Sequence, residues 1–243
     1  MLRLLRQKFP PSVDLQLDGR LVPVTVKASA RARHYRLSIP HVGGPVLTVP
    51  QHARWSEAEA FLVRHASWLA ARLKRAPDIV SFAAGATIPL RGVPHRVAGS
   101  GKVRGRVEIE EREGEPTLVV PGTPEHHARR LTDWLKAEAE LDLQGRVAVH
   151  AANLGATVKS LCLRSQSSRW GSCSSSGRLN FNWRLILAPP FVLDYVAAHE
   201  VAHLLEMNHS KAFWSTVKRT CPDMDRGRAW LKVHGSELMA YGR

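Results

Sequence analysis

The sequence predicts an α+β protein, and three observations carry that prediction. Between Val13 and Pro50, and again over residues 86–121, apolar and polar residues alternate in short runs broken by Gly, Pro and Asp, the period-two pattern of half-buried strands. From Thr123 to Leu154 the apolar residues switch to helical spacing. Further on, a largely apolar helical run contains His199-Glu200-Val201-Ala202-His203. The change of pattern puts a domain boundary after Gly122: residues 1–122 form a mostly β module with one helix, and residues 123–243 a domain with a long helix, a small antiparallel sheet and the histidine-bearing helix.

In chain order, Asp18-Gly19 is a hairpin signal between VDLQL and VPVTV, and HYRLSI and PVLTV alternate on either side of Gly43-Gly44-Pro45. Ser56 and Glu59 have capping-box spacing, and Ala60, Phe61, Ala66, Trp68, Leu69 and Leu73 carry a helix that Pro77 closes. ATIPLRG, VPHRVA, RVEIEE and TLVVP return to strands. Gly99-Ser100-Gly101-Lys102 invites a phosphate-loop reading, but Arg96 stands where that motif needs its first glycine, so a loose turn is expected.

Thr123-Pro124-Glu125 supplies a capping hydroxyl, a proline for the first turn and an early acid. The helix it starts runs through Leu131, Trp134, Leu135, Leu143 and Val147 to Leu154, and Gly155 stops it. TVKSLCLR reads as a strand, and SSRWGSCS and RLNFNWRLI as a hairpin turning at Ser175-Ser176-Gly177. Asn180 and Asn182 make one face of that hairpin polar, to orient a substrate or to cap the turn. Cys173 has no identifiable base and reads as a small strand residue rather than a nucleophile. Ala188-Pro189-Pro190 ends the hairpin and begins the next helix. Ser210 caps a short helix carrying Phe213, Trp214 and Val217, expected to pack under the histidines and to end at Cys221-Pro222. Trp230, Leu231, Val233, Leu238 and Met239 mark a final amphipathic helix.

The chemistry concentrates at His199, Glu200 and His203. Four residues make slightly more than one helical turn, so the two imidazoles share a face about 6 Å apart along the axis, close enough to hold one metal ion. In this H-E-x-x-H arrangement the histidines bind zinc and the glutamate polarises a water molecule. A catalytic zinc needs a third protein ligand and an open position, and His209 is the natural candidate. It reaches the metal if the helix stops near Met207 and Asn208 turns the chain back in a left-handed conformation. Glu206 stands ready either to orient a ligand histidine or to cap the helix end. Helical pairs of histidines also occur without a metal, but Val192, Leu193, Val196, Ala197, Val201, Leu204 and Leu205 make this segment one where unpaired polar groups are costly.

From Ser168 to Trp214, the run SRWGSCSSSGRLNFNWRLILAPPFVLDYVAAHEVAHLLEMNHSKAFW resembles the YgjP-like family of zincin-type metal-dependent hydrolases, related to the SprT and WLM proteases. The WLM pattern H-E-x-x-H-x5-H-x3-F is matched by His199, Glu200, His203, His209 and Phe213. The resemblance implies a zincin-like domain with a backing helix, a zinc site and Glu200 as base. It also implies an edge strand that holds an extended substrate, with Arg169, Trp170, Gly171 and Ser172 near it. Arg169 would meet an anionic group there or form a hairpin salt bridge. A zincin needs a donor for the developing oxyanion, for which His234 is a candidate; its alternative is a surface histidine.

Composition frames the partners. Lys and Arg number 35 against 21 Asp and Glu, a net charge of +14. Residues 1–123 hold 19 basic and 10 acidic residues, with the tightest cluster at Arg31, Arg33, His34, Tyr35 and Arg36, followed by Lys102, Arg104 and Arg106. Nucleic acid or an anionic small molecule thus joins peptide among the candidate partners, although such clusters also occur as plain solvated surface. Cys162, Cys173 and Cys221 are odd in number and lack C-x-x-C spacing, which fits a reducing cytoplasm. MLRLLRQKFPP is too short for a signal peptide, and no run approaches a membrane span. The leading expectation is a zinc metallopeptidase. The alternatives are a metal-dependent phosphoanhydride hydrolase acting on nucleoside triphosphates and a nucleic-acid-associated module with a structural metal.

Overall fold

The computed structural model describes residues 9–40, 43–74, 80–166 and 169–242 and has the expected α+β fold. Pro77, expected to close the first helix, and the basic start at residues 1–8 lie outside the described residues. The chain forms two compact units, residues 1–77 and 78–243, so the boundary anticipated after Gly122 falls inside the second. Ile88, Leu90, Val97, Leu118 and Val120, from the strands before Gly122, share one core with Leu131, Leu135, Ala139 and Val192 from the helices after it. The change of periodicity at Thr123 marks the end of a sheet rather than of a domain. The charge follows the true boundary: the first unit holds 13 Lys and Arg against 4 Asp and Glu, whereas residues 78–123 balance six against six.

In the first unit β1 (Ser12–Leu17) and β2 (Arg20–Ser29) form a hairpin over Asp18 and Gly19, both left-handed at φ 48° and 81°. These values suit the primed turns that match strand twist. With β3 (Arg36–Ser38) and β4 (Val46–Pro50) the order is β1-β2-β4-β3, β2 and β4 running parallel. Leu17, Val24, Leu47 and Val49 bury one face against Leu62 of α1 (Trp55–Arg64) and Leu69 of α2 (Ala66–Lys74). A single helix was expected here. His65 interrupts it at φ −102° and ψ 11°, its Nδ1 donating to the Phe61 carbonyl at 2.8 Å. Arg54 takes the cap position in place of Ser56, because Trp55 packs on the core and starts the helix two residues early.

The second unit opens with β5 (Thr87–Leu90), β6 (Val93–Gly99), β7 (Glu108–Arg112) and β8 (Glu115–Val120), in the order β5-β6-β8-β7 with β6 and β8 parallel. It repeats the hairpin-parallel-hairpin topology of the first sheet. Gly99 to Lys102 is no phosphate loop: the Ser100 amide is spent on the Val120 carbonyl and the Lys102 carbonyl on the Gly122 amide.

Then α3 (Pro124–Leu154) begins and ends where its proline and glycine predict, Gly155 taking φ 65°. Its buried residues Leu131, Leu135, Ala139, Leu143 and Val147 recur every four positions, one apolar stripe along the helix. It leads to a three-stranded sheet of β9 (Ser160–Arg164), β10 (Gly171–Cys173) and β11 (Arg178–Asn182), ordered β10-β11-β9, so that β10 is an edge. The sheet is mixed rather than antiparallel as expected, because β9 pairs parallel with β11 and only β10–β11 is a hairpin. Trp183–Leu187, expected to continue the hairpin, winds into a buried 3-10 turn because the Asn182 side chain accepts the Arg184 amide.

The remaining helices are α4 (Pro190–Ala202), α5 (Lys211–Thr220) and α6 (Met224–Leu238). A buried polar cluster ties three helices together. His150 of α3, fully buried, bonds Thr220 of α5 and Asp194 of α4, each at 2.7 Å, and Arg146 donates to the same carboxylate. Burial alone would raise the Asp194 pKa, but the bonds from His150 and Arg146 outweigh it and hold the carboxyl below its ordinary range. No helix among the described residues is long and apolar enough to cross a membrane.

Candidate metal centre

The centre is built on α4, which packs between α3 and α6 and is buried over most of its length. Helical spacing stacks His199 over His203, their ring centroids 4.9 Å apart. The helix ends earlier than expected, with His203 as its cap residue, and the chain reverses through tight turns in which the Leu204, Leu205 and Glu206 amides bond back to Val201 and Ala202. Asn208 is not left-handed: those turns reverse the chain before it, and its carbonyl accepts the Ser210 amide at 2.7 Å. His209 nonetheless arrives from outside the helix, its ring 5.0 Å from that of His199 and 4.8 Å from that of His203. Ser210 then caps α5 by accepting the Phe213 amide, as expected, and puts the fully buried Phe213 under all three imidazoles, stacked on His203 at 4.4 Å.

One ring nitrogen from each histidine lies within 4.8 Å of the others. The Nε2 atoms of His199 and His209 are 3.1 Å apart, near the separation of about 3.3 Å that two nitrogens bound tetrahedrally at about 2.0–2.1 Å would have. A carbonyl can only accept, so the 3.0 Å bond between His203 Nδ1 and the Glu206 backbone carbonyl fixes the proton on Nδ1 and leaves Nε2 with its lone pair. Both roles expected for Glu206 are performed by its backbone: the amide bonds Ala202 at the helix end and the carbonyl orients His203. Burial, then the two neighbouring imidazoles and Arg228, press the His199 pKa from 6.5 down to about 3. His199 is therefore neutral, the state that binds a cation. The donor set fits a divalent metal.

Glu200 lies on the side of α4 that meets β10. Glu200 is buried, 5% exposed as a residue, and its carboxylate has no hydrogen-bond partner among the described residues. Burial lifts its pKa from 4.5 to about 8, and the charge of Arg169 acts against that rise. Gly171 makes the fit possible: an ideal Cβ there would stand 2.6 Å from the Glu200 Cγ and 2.7 Å from its Cδ. Beside His203 a recess of about 350 Å³ opens between the Ser174–Gly177 turn and Leu204, Leu205 and Met207.

The other sequence candidates divide. Arg169 is exposed and makes no hairpin salt bridge among the described residues. Trp170 is partly buried, its indole packed on Gly235 of α6, and serves the core more than an open cleft. Ser172 sits in β10 opposite Asn180. His234 stays apart: it bonds Glu237 at 3.3 Å and stacks on Trp230, and none of its contacts reaches the histidine triad. Two neighbours escaped the sequence reading. Tyr195, one turn before His199 on α4, meets its ring edge-on at 5.9 Å, and Arg228 of α6 sits 4.8 Å over the Trp214 ring. Tyr195 lies four residues before His199, a helical spacing that could have flagged it, whereas Arg228 has no fixed spacing from the motif.

Residues 33–234 match the family model described as YgjP-like, metallopeptidase domain. The chain belongs to the YgjP-like family. It is a metallopeptidase-domain protein, and the histidine triad is the cluster able to hold the metal that such a domain implies. No curated protein is similar enough in sequence to count as a match. Among solved structures, that of the metallopeptidase zymogen abylysin from Pyrococcus abyssi is similar to part of the chain, at 18% identity and a TM-score of 0.33, covering 38% of this chain and 95% of that one.

Proposed function

We propose that this YgjP-like chain is a zinc-dependent peptidase in which His199, His203 and His209 hold the ion and Glu200 is the general base. The observation that carries the proposal is the convergence of three imidazole nitrogens beside a buried carboxylate with no partner of its own. Imidazole donors suit zinc among the common divalent metals. A divalent ion held there supplies Lewis-acid polarisation of the scissile carbonyl and of a water molecule, and its charge favours the ionised form of Glu200. Ionised Glu200 takes a proton from the attacking water and returns it to the leaving amine. The free edge of β10 offers backbone groups to an extended peptide, with Ser172 on that strand and Arg169 just before it.

The test is Glu200→Gln in the zinc-loaded protein. It retains the metal and loses hydrolysis of casein, and hydrolysis at the parental rate would refute the assignment of the base. A panel of nucleoside triphosphates run beside casein separates peptide from phosphoanhydride hydrolysis at the same centre. The basic surface of the first unit makes nucleic acid a proposed partner, and binding of DNA or RNA that weakens steeply with salt is its signature.

A further inference from the structure

We propose that Arg228 is a specificity residue of this centre and that, with Arg169, it selects substrates presenting a carboxylate beside the metal. The proposal rests on the peptidase reading above and deepens it by naming the substrate class. Its first support is how α6 approaches. At Gly227 an ideal Cβ would lie 2.5 Å from the Tyr195 Cβ, so only glycine lets α6 come this close to α4. The next residue, Arg228, is thereby delivered to the rim of the centre, where it is exposed.

Its guanidinium lies 4.8 Å from the centre of the Trp214 ring, and that ring lies 5.7 Å from His209 at 31° and 5.8 Å from His199. Imidazole, indole and guanidinium thus form a ladder from two metal-ligand candidates to one cation. A second cation lies on the β10 side: Arg169 stands two residues before Gly171, the residue that packs directly against the Glu200 side chain.

Neither arginine has a carboxylate within ion-pair distance among the described residues. Elsewhere in the second unit Arg91 is paired with Glu138 and Asp142, Arg112 with Glu110, and Arg146 with Asp194. A guanidinium stacked on an indole has lost freedom in advance and keeps the edge of its fork open for a carboxylate. That carboxylate belongs either to an Asp or Glu side chain or to a free chain end.

The experiment uses full-length, zinc-loaded protein carrying E200Q, so that no probe is consumed, and measures binding by fluorescence anisotropy. Four short labelled peptides are compared: one blocked at both ends with a central Glu, its Gln counterpart, its Lys counterpart, and the Gln peptide with a free C-terminal carboxylate. The Glu peptide is expected to bind about three- to fivefold tighter than the Gln peptide, a gap that narrows as salt is raised. A gain confined to the free-ended peptide supports the proposal with the chain end as the carboxylate.

R228E in the same background should reverse the order in favour of Lys. R228Q, which keeps much of the stem over Trp214, should lose part of the discrimination while circular dichroism shows the fold intact. Equal binding of all four peptides, or an order unchanged by R228E and R228Q, overturns the proposal. The two readings fail separately. Casein left uncut by the parental protein while the probes still sort by charge removes the peptidase reading and supports carboxylate selection; casein cut with probes bound alike does the opposite.

Discussion

The sharpest test of the centre is Gly171→Ala, a substitution that adds one methyl group and strains no backbone, since Gly171 is not among the residues with positive φ. The added Cβ would stand 2.6 Å from the Glu200 Cγ and 2.7 Å from its Cδ, where ordinary contact begins at 3.4 Å. One side must retreat by about 0.8 Å. Turning the carboxylate does not help, because the Cγ near the root of the side chain is also too close. The strand resists, because Gly171 is paired with Phe181, which is fully buried. The Glu200 side chain therefore swings, and misplacing a reacting group by about 1 Å costs on the order of 100-fold in rate. The assay is kcat/KM on a casein-derived fluorogenic peptide, with zinc content measured on the same samples. The expected outcome is a fall of that order with the zinc retained, because no histidine is moved. G171A protein that keeps the parental kcat/KM would refute the idea that the β10 backbone sets the position of the base.

Other consequences are measurable without turnover. In the metal-free protein Glu200 has its pKa raised to about 8, so between pH 6.5 and 8 the unfolded chain has lost a proton that the folded chain still binds. Stability must then fall as pH rises, by about 2 kcal/mol over that window. The lowered pKa values of His199 and His203 act with the opposite sign, stability being lost as pH falls through 6.5, so they offset the fall only at the lower edge of the window. Urea titrations at both pH values should show the fall, E200Q should abolish it, and a flat profile in the parental protein would contradict the burial of an unpaired carboxyl. His209→Ala should weaken zinc binding by more than about 100-fold, beyond the loss of an outer partner, while leaving the melting temperature of the metal-free protein nearly unchanged. Full zinc occupancy after dialysis of that variant would remove His209 from the ligand set. Asp194→Ala strands buried His150 and should cost about 2–3 kcal/mol in urea unfolding, and a loss below about 0.5 kcal/mol would show that the cluster does not tie the helices.

Features governed by local chemistry were legible in the chain. Thr123-Pro124 and Gly155 mark the ends of α3, Asp18-Gly19 marks a primed turn, Ser210 caps α5, and the spacing of His199, His203 and His209 anticipates their convergence. Features decided by packing at a distance were not. The end of a sheet and the end of a domain look alike at Thr123, because the burial of β5–β8 against α3 has no signature in either segment. The break at His65, the 3-10 turn after Asn182 and the early end of α4 each depend on a few local hydrogen bonds that propensity does not foresee. Glu206 was left open between orienting a histidine and capping the helix end, and the group that orients His203 is its backbone carbonyl, which any residue at position 206 would supply.

That backbone contact explains why so short a motif suffices. If the carboxylate of Glu206 were the orienting group, the centre would need a correctly placed side chain in a turn; because the backbone serves, only the turn has to form. The same economy appears at Gly171 and Gly227, where what matters is an absent side chain that lets β10 and α6 approach α4. The alignment of the three histidines and of Glu200 is thus left to backbone and to the fully buried Phe213. Substitutions at residue 206 that keep the turn should therefore matter less than a single methyl group at residue 171, an order opposite to the one residue chemistry alone would suggest.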